Sequence, residues 1–182
     1  KILCIPSPNN PSGNNMERGY IEVLLHHFPG IILIDEAYIN FSKQNTFIQE
    51  LTEYPNLVVM QTLSKAWGLA ALRLVLCYAS MDIIALFNKV KPPYNINDAS
   101  QQLGVEALQN TDLVNEWIAS VVQQKEWLIK EMGNFTFVAT IYPSDANFFL
   151  MKVKDDAALY TYLSDNEVVV RNRSKDPGCY NC

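Results

Sequence analysis

The sequence predicts an α/β fold with its sheet covered on both faces, followed by a smaller α+β unit. Three observations carry this. Four apolar runs of strand length, at residues 2–5, 31–34, 56–61 and 73–79, are separated by stretches of helix or turn character. Within the runs the apolar residues are continuous rather than alternating, as in strands buried on both faces. From Ser80 onward the pattern changes to a series of helices and then to strand, strand, helix, strand. Strands alternating with helices imply parallel pairing through right-handed crossovers.

In chain order, Ile2-Leu3-Cys4-Ile5 runs into the turn cluster Ser7-Pro8-Asn9-Asn10-Pro11-Ser12-Gly13. Asn14 or Asn15 is placed to cap a helix over 16–28, which Pro29-Gly30 ends. Ile31-Ile32-Leu33-Ile34 is a buried strand leading straight into Asp35-Glu36-Ala37-Tyr38. A short helix over 45–54 is stopped by Pro55, and 56–61 is the third strand. It leads into Thr62-Leu63-Ser64-Lys65-Ala66-Trp67-Gly68, with Arg73 heading the fourth run. Helices follow over 81–90 and 97–109, parted by Lys91-Pro92-Pro93-Tyr94. The longest helix spans 112–132, with Thr111 or Asp112 as its cap and Gly133-Asn134 as its end. Its apolar residues, including Val114, Ile118, Val121 and Val122, keep helical spacing. Strands over 136–141 and 148–153, a helix over 155–165 and a strand over 167–170 complete the chain. A domain boundary falls near Asn110, dividing 1–110 from 111–182.

With 182 residues and 49% apolar content, the chain has material for one large domain or two small ones. A net charge of -5 without a basic run argues against nucleic-acid or anionic-membrane partners. No apolar segment approaches the roughly 20 residues that span a bilayer. Lys1 heads a strand with no signal pattern, and Cys182 lies in a loop, so both ends read as cut and predict a piece of a longer protein. Of the four cysteines, Cys4 and Cys77 sit in apolar strands. Cys179 and Cys182 have the spacing of a zinc or redox pair, but two further ligands at matched spacing are lacking, so no metal site is predicted. His26-His27 reads as a solvated helix end.

Three apolar strands thus deliver polar groups at their carboxyl ends: an amide, an acid with a phenol, and a lysine. Open α/β sheets bind ligands at that edge. Leu63, Trp67 and Leu69 predict an apolar enclosure for Lys65, where an amine is more readily neutral and attacks a carbonyl to form a Schiff base. With Ser64 and Arg73, the set matches the needs of pyridoxal 5'-phosphate. That cofactor requires a lysine for its aldehyde, a carboxylate at its ring nitrogen, donors for its phenolate oxygen and a cationic phosphate site.

The ordered set Asn-Asn-Pro-Ser-Gly, Asp-Glu-Ala-Tyr and Thr-Leu-Ser-Lys-Ala, with Arg73 after the lysine, resembles the fold-type I aminotransferases over nearly the whole chain. Within that family the likeness is greatest to the histidinol-phosphate aminotransferase branch. The resemblance implies part of a large three-layer α/β/α domain plus a small α+β domain. It also implies a cytoplasmic homodimer that exchanges an amino group between L-histidinol phosphate, a small amino-acid phosphate, and 2-oxoglutarate. Lys65 is then the catalytic amine and proton carrier. Asp35 pairs with the ring nitrogen, with Glu36 as its rival. Tyr38 and Asn10 bind the phenolic oxygen, Asn10 being favoured over Asn9 by its place beside the proline. Arg73 grips the phosphate, with hydroxyls from Thr62 and Ser64. Asn147 and Arg171 resemble positions near the substrate, Arg171 facing its anionic group, with Arg173 as a more exposed alternative. Ser12 stands where the family usually has threonine, and the family's upstream phosphate-cradling loop is absent. Two other readings share Lys65, Asp35 and Arg73: a decarboxylase of a phosphorylated amino acid, and a non-catalytic cofactor-binding module.

Overall fold

Strands β1 (Ile2–Pro6), β2 (Ile31–Asp35) and β3 (Leu57–Thr62) lie side by side and parallel in the computed structural model, which describes residues 1–182. Their apolar continuity has the predicted consequence at the centre of the sheet, where Leu57, Val58 and Val59 are all fully buried. Helix α1 (Arg18–His27) connects β1 to β2, and its Ile21 and Leu25 close a core with Ile5, Ile32, Ile34, Phe47, Leu57 and Val59. The helix is one residue inside Glu17, and no side chain caps it. The expected caps are engaged elsewhere. The Asn15 side-chain amide donates to the Ser42 hydroxyl (2.7 Å), and that of Asn14 to the Asn15 carbonyl (3.0 Å).

The connection from β2 to β3 holds single 3₁₀ turns at Ile39–Phe41 and Phe47–Glu50, where a helix over 45–54 is expected. The reason is local: Glu36 draws the Thr46 hydroxyl and the Phe47 amide onto its carboxylate, which fixes the chain at the point where a helix would start.

Strand β4 (Val75–Ala79) corrects the all-parallel expectation, because it pairs antiparallel with β3. A parallel return needs a crossover, usually a helix. The link from Leu63 to Leu74 contains only the 3₁₀ turn Ala70–Leu72 and folds straight back. Sheet order is β1-β2-β3-β4, and the edge strands keep exposed residues such as Val75.

Helices α2 (Met81–Val90), α3 (Asp98–Leu108) and α4 (Thr111–Met132) follow. The Asn97 side chain caps α3 by accepting from the Ser100 amide. No side chain caps α4: Asn110 and Thr111 instead donate back to the carbonyls of Glu106 and Leu108 in the last turn of α3. The inner face of α4 carries Val114, Ile118, Val122, Lys125, Ile129 and Met132 at helical spacing, and the helix packs on the Ile39–Phe41 turn.

Strands β5 (Val138–Ile141) and β6 (Met151–Val153) form a separate antiparallel pair, followed by α5 (Asp156–Asp165). The expected strand over 167–170 does not form. Glu167 takes a left-handed conformation (φ 62°), and the amides of Glu167 and Val168 donate to the carbonyls of Ser164 and Leu163. This is a Schellman close of α5, which turns the chain away from any strand partner. No helix is long and apolar enough to cross a membrane.

Candidate active site

The loop after β1 closes on itself: the Gly13 amide donates to the Asn9 carbonyl (2.8 Å) and the Asn9 amide to that of Asn14 (2.9 Å). Gly13 has φ 81°, a left-handed turn that glycine adopts without steric cost. The loop presents Asn10, whose amide nitrogen donates to the Tyr38 hydroxyl oxygen (3.0 Å) and whose carbonyl accepts from the Arg173 guanidinium (2.7 Å). A guanidinium only donates, so it fixes the amide with its NH₂ toward Tyr38. The phenol thereby receives a hydrogen bond and keeps its own proton to give.

Tyr38 is also where the other parts meet. The Lys65 ammonium lies 5.3 Å from the centroid of its ring, within cation–π range, and Phe148 packs edge-on at 5.1 Å. Asp35 ends β2 half-buried, with one carboxylate oxygen accepting from the Ala37 amide (3.0 Å) and the other making no hydrogen bond. Its rival Glu36 is fully buried. The Glu36 carboxylate accepts from the Thr46 hydroxyl (2.6 Å), the Phe47 amide (2.7 Å) and the Gln61 side chain (2.8 Å). Strand alternation sends the two acids to opposite faces, and Glu36 is wholly occupied in holding the fold.

The loop carrying Lys65 is tied at its base. The Leu63 amide donates to the Leu74 carbonyl and the Leu69 amide to the Leu63 carbonyl. The Gly68 amide donates to the Lys65 carbonyl, and the Thr62 hydroxyl donates to the Leu74 carbonyl while accepting from the Ser64 amide. Thr62 therefore shapes the loop, while the Ser64 hydroxyl has no partner. Two expectations need correction here. Lys65 is exposed rather than enclosed by Leu63, Trp67 and Leu69. Arg73 is not the first residue of β4 but precedes it in a left-handed conformation (φ 57°), exposed, with its guanidinium on the Ala70 carbonyl. A non-glycine residue there carries strain of order 1 kcal/mol or more, a feature that collects at binding loops.

An open cavity of about 800 Å³ lies beside this cluster, between α4, the β5–β6 unit and α5. Asn10, Asn147, Phe148, Arg171 and Arg173 line it; Lys65, Asp35 and Tyr38 do not. The predicted residues thus fall into two groups, joined through Asn10 and the Tyr38–Phe148 contact. Arg171 is exposed and makes no hydrogen bond or ion pair, whereas Arg173 is half-buried and bonded to Asn10 and Asp176, the reverse of the expected order of exposure. The sequence reading missed the Arg173–Asn10 contact, for which no local signal exists, and Lys125. Lys125 did leave a trace, as a charge on the inner stripe of α4.

The segment carrying Arg171 and Arg173 is tied to α5 by Asp156, which accepts from the Ser174 hydroxyl and the Asn172 amide (both 2.7 Å). These bonds, Ser174 first, hold the Asp156 carboxyl below the usual aspartate range. A depressed folded value means the tie is fully present above the unfolded value and is lost as pH falls through the folded one. A carboxyl-carbon NMR titration is expected to place the Asp156 midpoint below about 3.9, the value of a free aspartate. A midpoint at or above that contradicts the tie.

The model of the family described as aminotransferase class I and II matches residues 1–182. The chain belongs to this family. Among class I and II aminotransferases, it is 47% identical to the histidinol-phosphate aminotransferase of Flavobacterium johnsoniae over all 182 residues, which is 52% of that protein. The chain spans about half the length of the curated relatives it matches. The solved histidinol-phosphate aminotransferase of Sinorhizobium meliloti, in complex with pyridoxal-5'-phosphate, superposes with a TM-score of 0.85 at 21% identity, covering 100% of this chain and 51% of that one. The L-threonine-O-3-phosphate decarboxylase of Porphyromonas gingivalis also superposes at 0.85, with 23% identity over 98% of this chain and 56% of that one. These likenesses establish the aminotransferase fold of the chain, in which β1 to β3 bring Asn10, Asp35 with Tyr38, and Lys65 to one edge.

Proposed function

We propose that the complete protein is a pyridoxal-phosphate-dependent aminotransferase acting on L-histidinol phosphate and 2-oxoglutarate, and that this chain supplies most of its cofactor contacts. The observation that carries the reading is the convergence of Lys65, Tyr38 and Asn10, with a free Asp35 oxygen, at the carboxyl ends of three parallel strands. The donor set fits the cofactor group by group. The fold likeness to a solved relative that holds this cofactor supports the same choice.

When bound, pyridoxal phosphate supplies an aldehyde for an amino group and a ring that takes up electrons from the reacting carbon. Lys65 would be the nucleophilic amine for the aldehyde, and as a free amine it would carry the proton of the reacting carbon. Asp35, with one carboxylate oxygen left free by the Ala37 amide, would keep the ring nitrogen protonated. Tyr38 would donate its hydroxyl proton to the phenolic oxygen, with Asn10, held by Arg173, orienting it. Arg73 and the Ser64 hydroxyl are the phosphate donors. Asn147 and the unpaired Arg171 face the substrate from the cavity.

In this reading residues 1–110 are part of the large cofactor domain and 111–182 begin the smaller one, in a cytoplasmic homodimer. The decarboxylase likeness supports a second reading, loss of CO₂ from a phosphorylated amino acid. The test uses the full-length protein with its cofactor. L-histidinol phosphate should shift the cofactor absorption, and added 2-oxoglutarate should become glutamate. No shift with histidinol phosphate sinks the specific assignment, and CO₂ release from a phosphorylated amino acid moves it to the second reading.

A further inference from the structure

We propose that Lys125 is a positioning residue: its ammonium holds the 144–148 loop in the shape that sets Asn147 at the cavity and Phe148 against Tyr38. The inference deepens the aminotransferase reading and rests on it for the role of Asn147.

Lys125 lies on the inner face of α4 between Val122 and Ile129, where an apolar side chain is the pattern. Its ammonium is half-buried there and donates to two carbonyls of one loop, Ser144 (2.8 Å) and Ala146 (2.7 Å). Burial pushes the Lys125 amine below its ordinary value, against the opposing pull of Asp145. A partly buried cation is costly unless its donors are satisfied. Those two carbonyls take two of its three donors.

The same loop is gripped from the other side by the turn after β1. The Asp145 amide donates to the Gly13 carbonyl (2.8 Å), and the Asp145 carboxylate accepts from the Asn15 amide (3.0 Å). Gly13 is held close enough that a β-carbon on it would lie 2.4 Å from the Ser144 hydroxyl oxygen. That hydroxyl donates to the Phe148 carbonyl and accepts from the Ala146 amide (3.1 Å), curling the loop around the fully buried Ala146. The loop therefore couples the turn that presents Asn10 to a helix of the other unit, with Asn147 and Phe148 at its free edge. Lys125 is the one charged group from α4 that hydrogen-bonds this loop; it lines the same cavity as Asn147 and makes no hydrogen bond to it.

The full-length holoenzyme tests this with Lys125→Met, which keeps the length and loses the donors, and Lys125→Arg, which keeps them. The proposal expects faster amide exchange across 144–148 in Lys125→Met. It also expects KM for the amino donor to rise about tenfold with kcat within about twofold, as when a contact orienting a binding group is lost, and Lys125→Arg to restore both. Should Lys125→Met fail to fold, Lys125→Gln, which retains an amide donor on a shorter chain, replaces it in the same comparison. Unchanged exchange overturns the proposal, and so does faster exchange with a parental KM in an active parent. A parent that transfers no amino group sinks the functional reading instead, while the exchange comparison still decides whether Lys125 holds the loop.

Discussion

Lys65→Ala in the complete protein is expected to lower aminotransfer by at least about a thousandfold while leaving the fold intact, because one change removes both the nucleophile and the proton carrier. The two halves of this expectation have separate origins. The fold survives because the Lys65 side chain is exposed and makes no hydrogen bond or ion pair, its ammonium lying only over the Tyr38 ring at cation–π distance. Exposed cation–π pairs are worth about 0.5–1 kcal/mol, so the melting temperature should move by only a few degrees. The loop itself is held by backbone bonds among Leu63, Leu69 and Leu74, none of which involves the lysine side chain. Turnover and thermal melting of the purified variant check both halves. Loss of the fold, or turnover within tenfold of the parent, would show the lysine to be misassigned.

Asp35→Asn is expected to reduce turnover by roughly a hundredfold or more, the size seen when one preorganised electrostatic group is removed from a reacting centre. Asparagine keeps an oxygen for the Ala37 amide, so the local turn should persist while the charge facing the ring nitrogen disappears. Its neighbour provides the internal control. Glu36→Ala strands the Thr46 hydroxyl, the Phe47 amide and the Gln61 side chain in a buried site, at a cost of about 3 kcal/mol or more. That variant should melt much earlier yet turn over normally where it is folded. The crossed pattern, activity lost at Asp35 and stability lost at Glu36, distinguishes the two acids. The reverse pattern would exchange their roles.

The central strands were legible because apolar continuity depends only on what covers the two faces of a strand. The direction of β4 was not, because direction is set by the connection. The Leu63–Leu74 link reads as apolar in the sequence but lacks the length of helix that a parallel return requires. The same limit applies at helix starts. Asn14, Asn15 and Thr111 are good capping types, but the next backbone carbonyl, the Ser42 hydroxyl and the preceding helix respectively claim their side chains first. At the site, Asn10, Asp35, Tyr38 and Lys65 were readable as strand-end residues in order. The contacts that orient them were not, since Arg173 lies 163 residues from Asn10 and Lys125 reaches the loop of Asn147 from another helix. Exposure misled twice: Lys65 has apolar neighbours in sequence without being enclosed by them, and Arg173, not Arg171, is the arginine drawn inward.

The most direct test of the account is borohydride treatment of the full-length protein loaded with pyridoxal phosphate, followed by peptide mapping of the fixed cofactor. The expected result is one pyridoxyl label, on the peptide containing Lys65, and none in Lys65→Ala. A label on another lysine, Lys125 included, or no label on a protein that binds the cofactor, would contradict it.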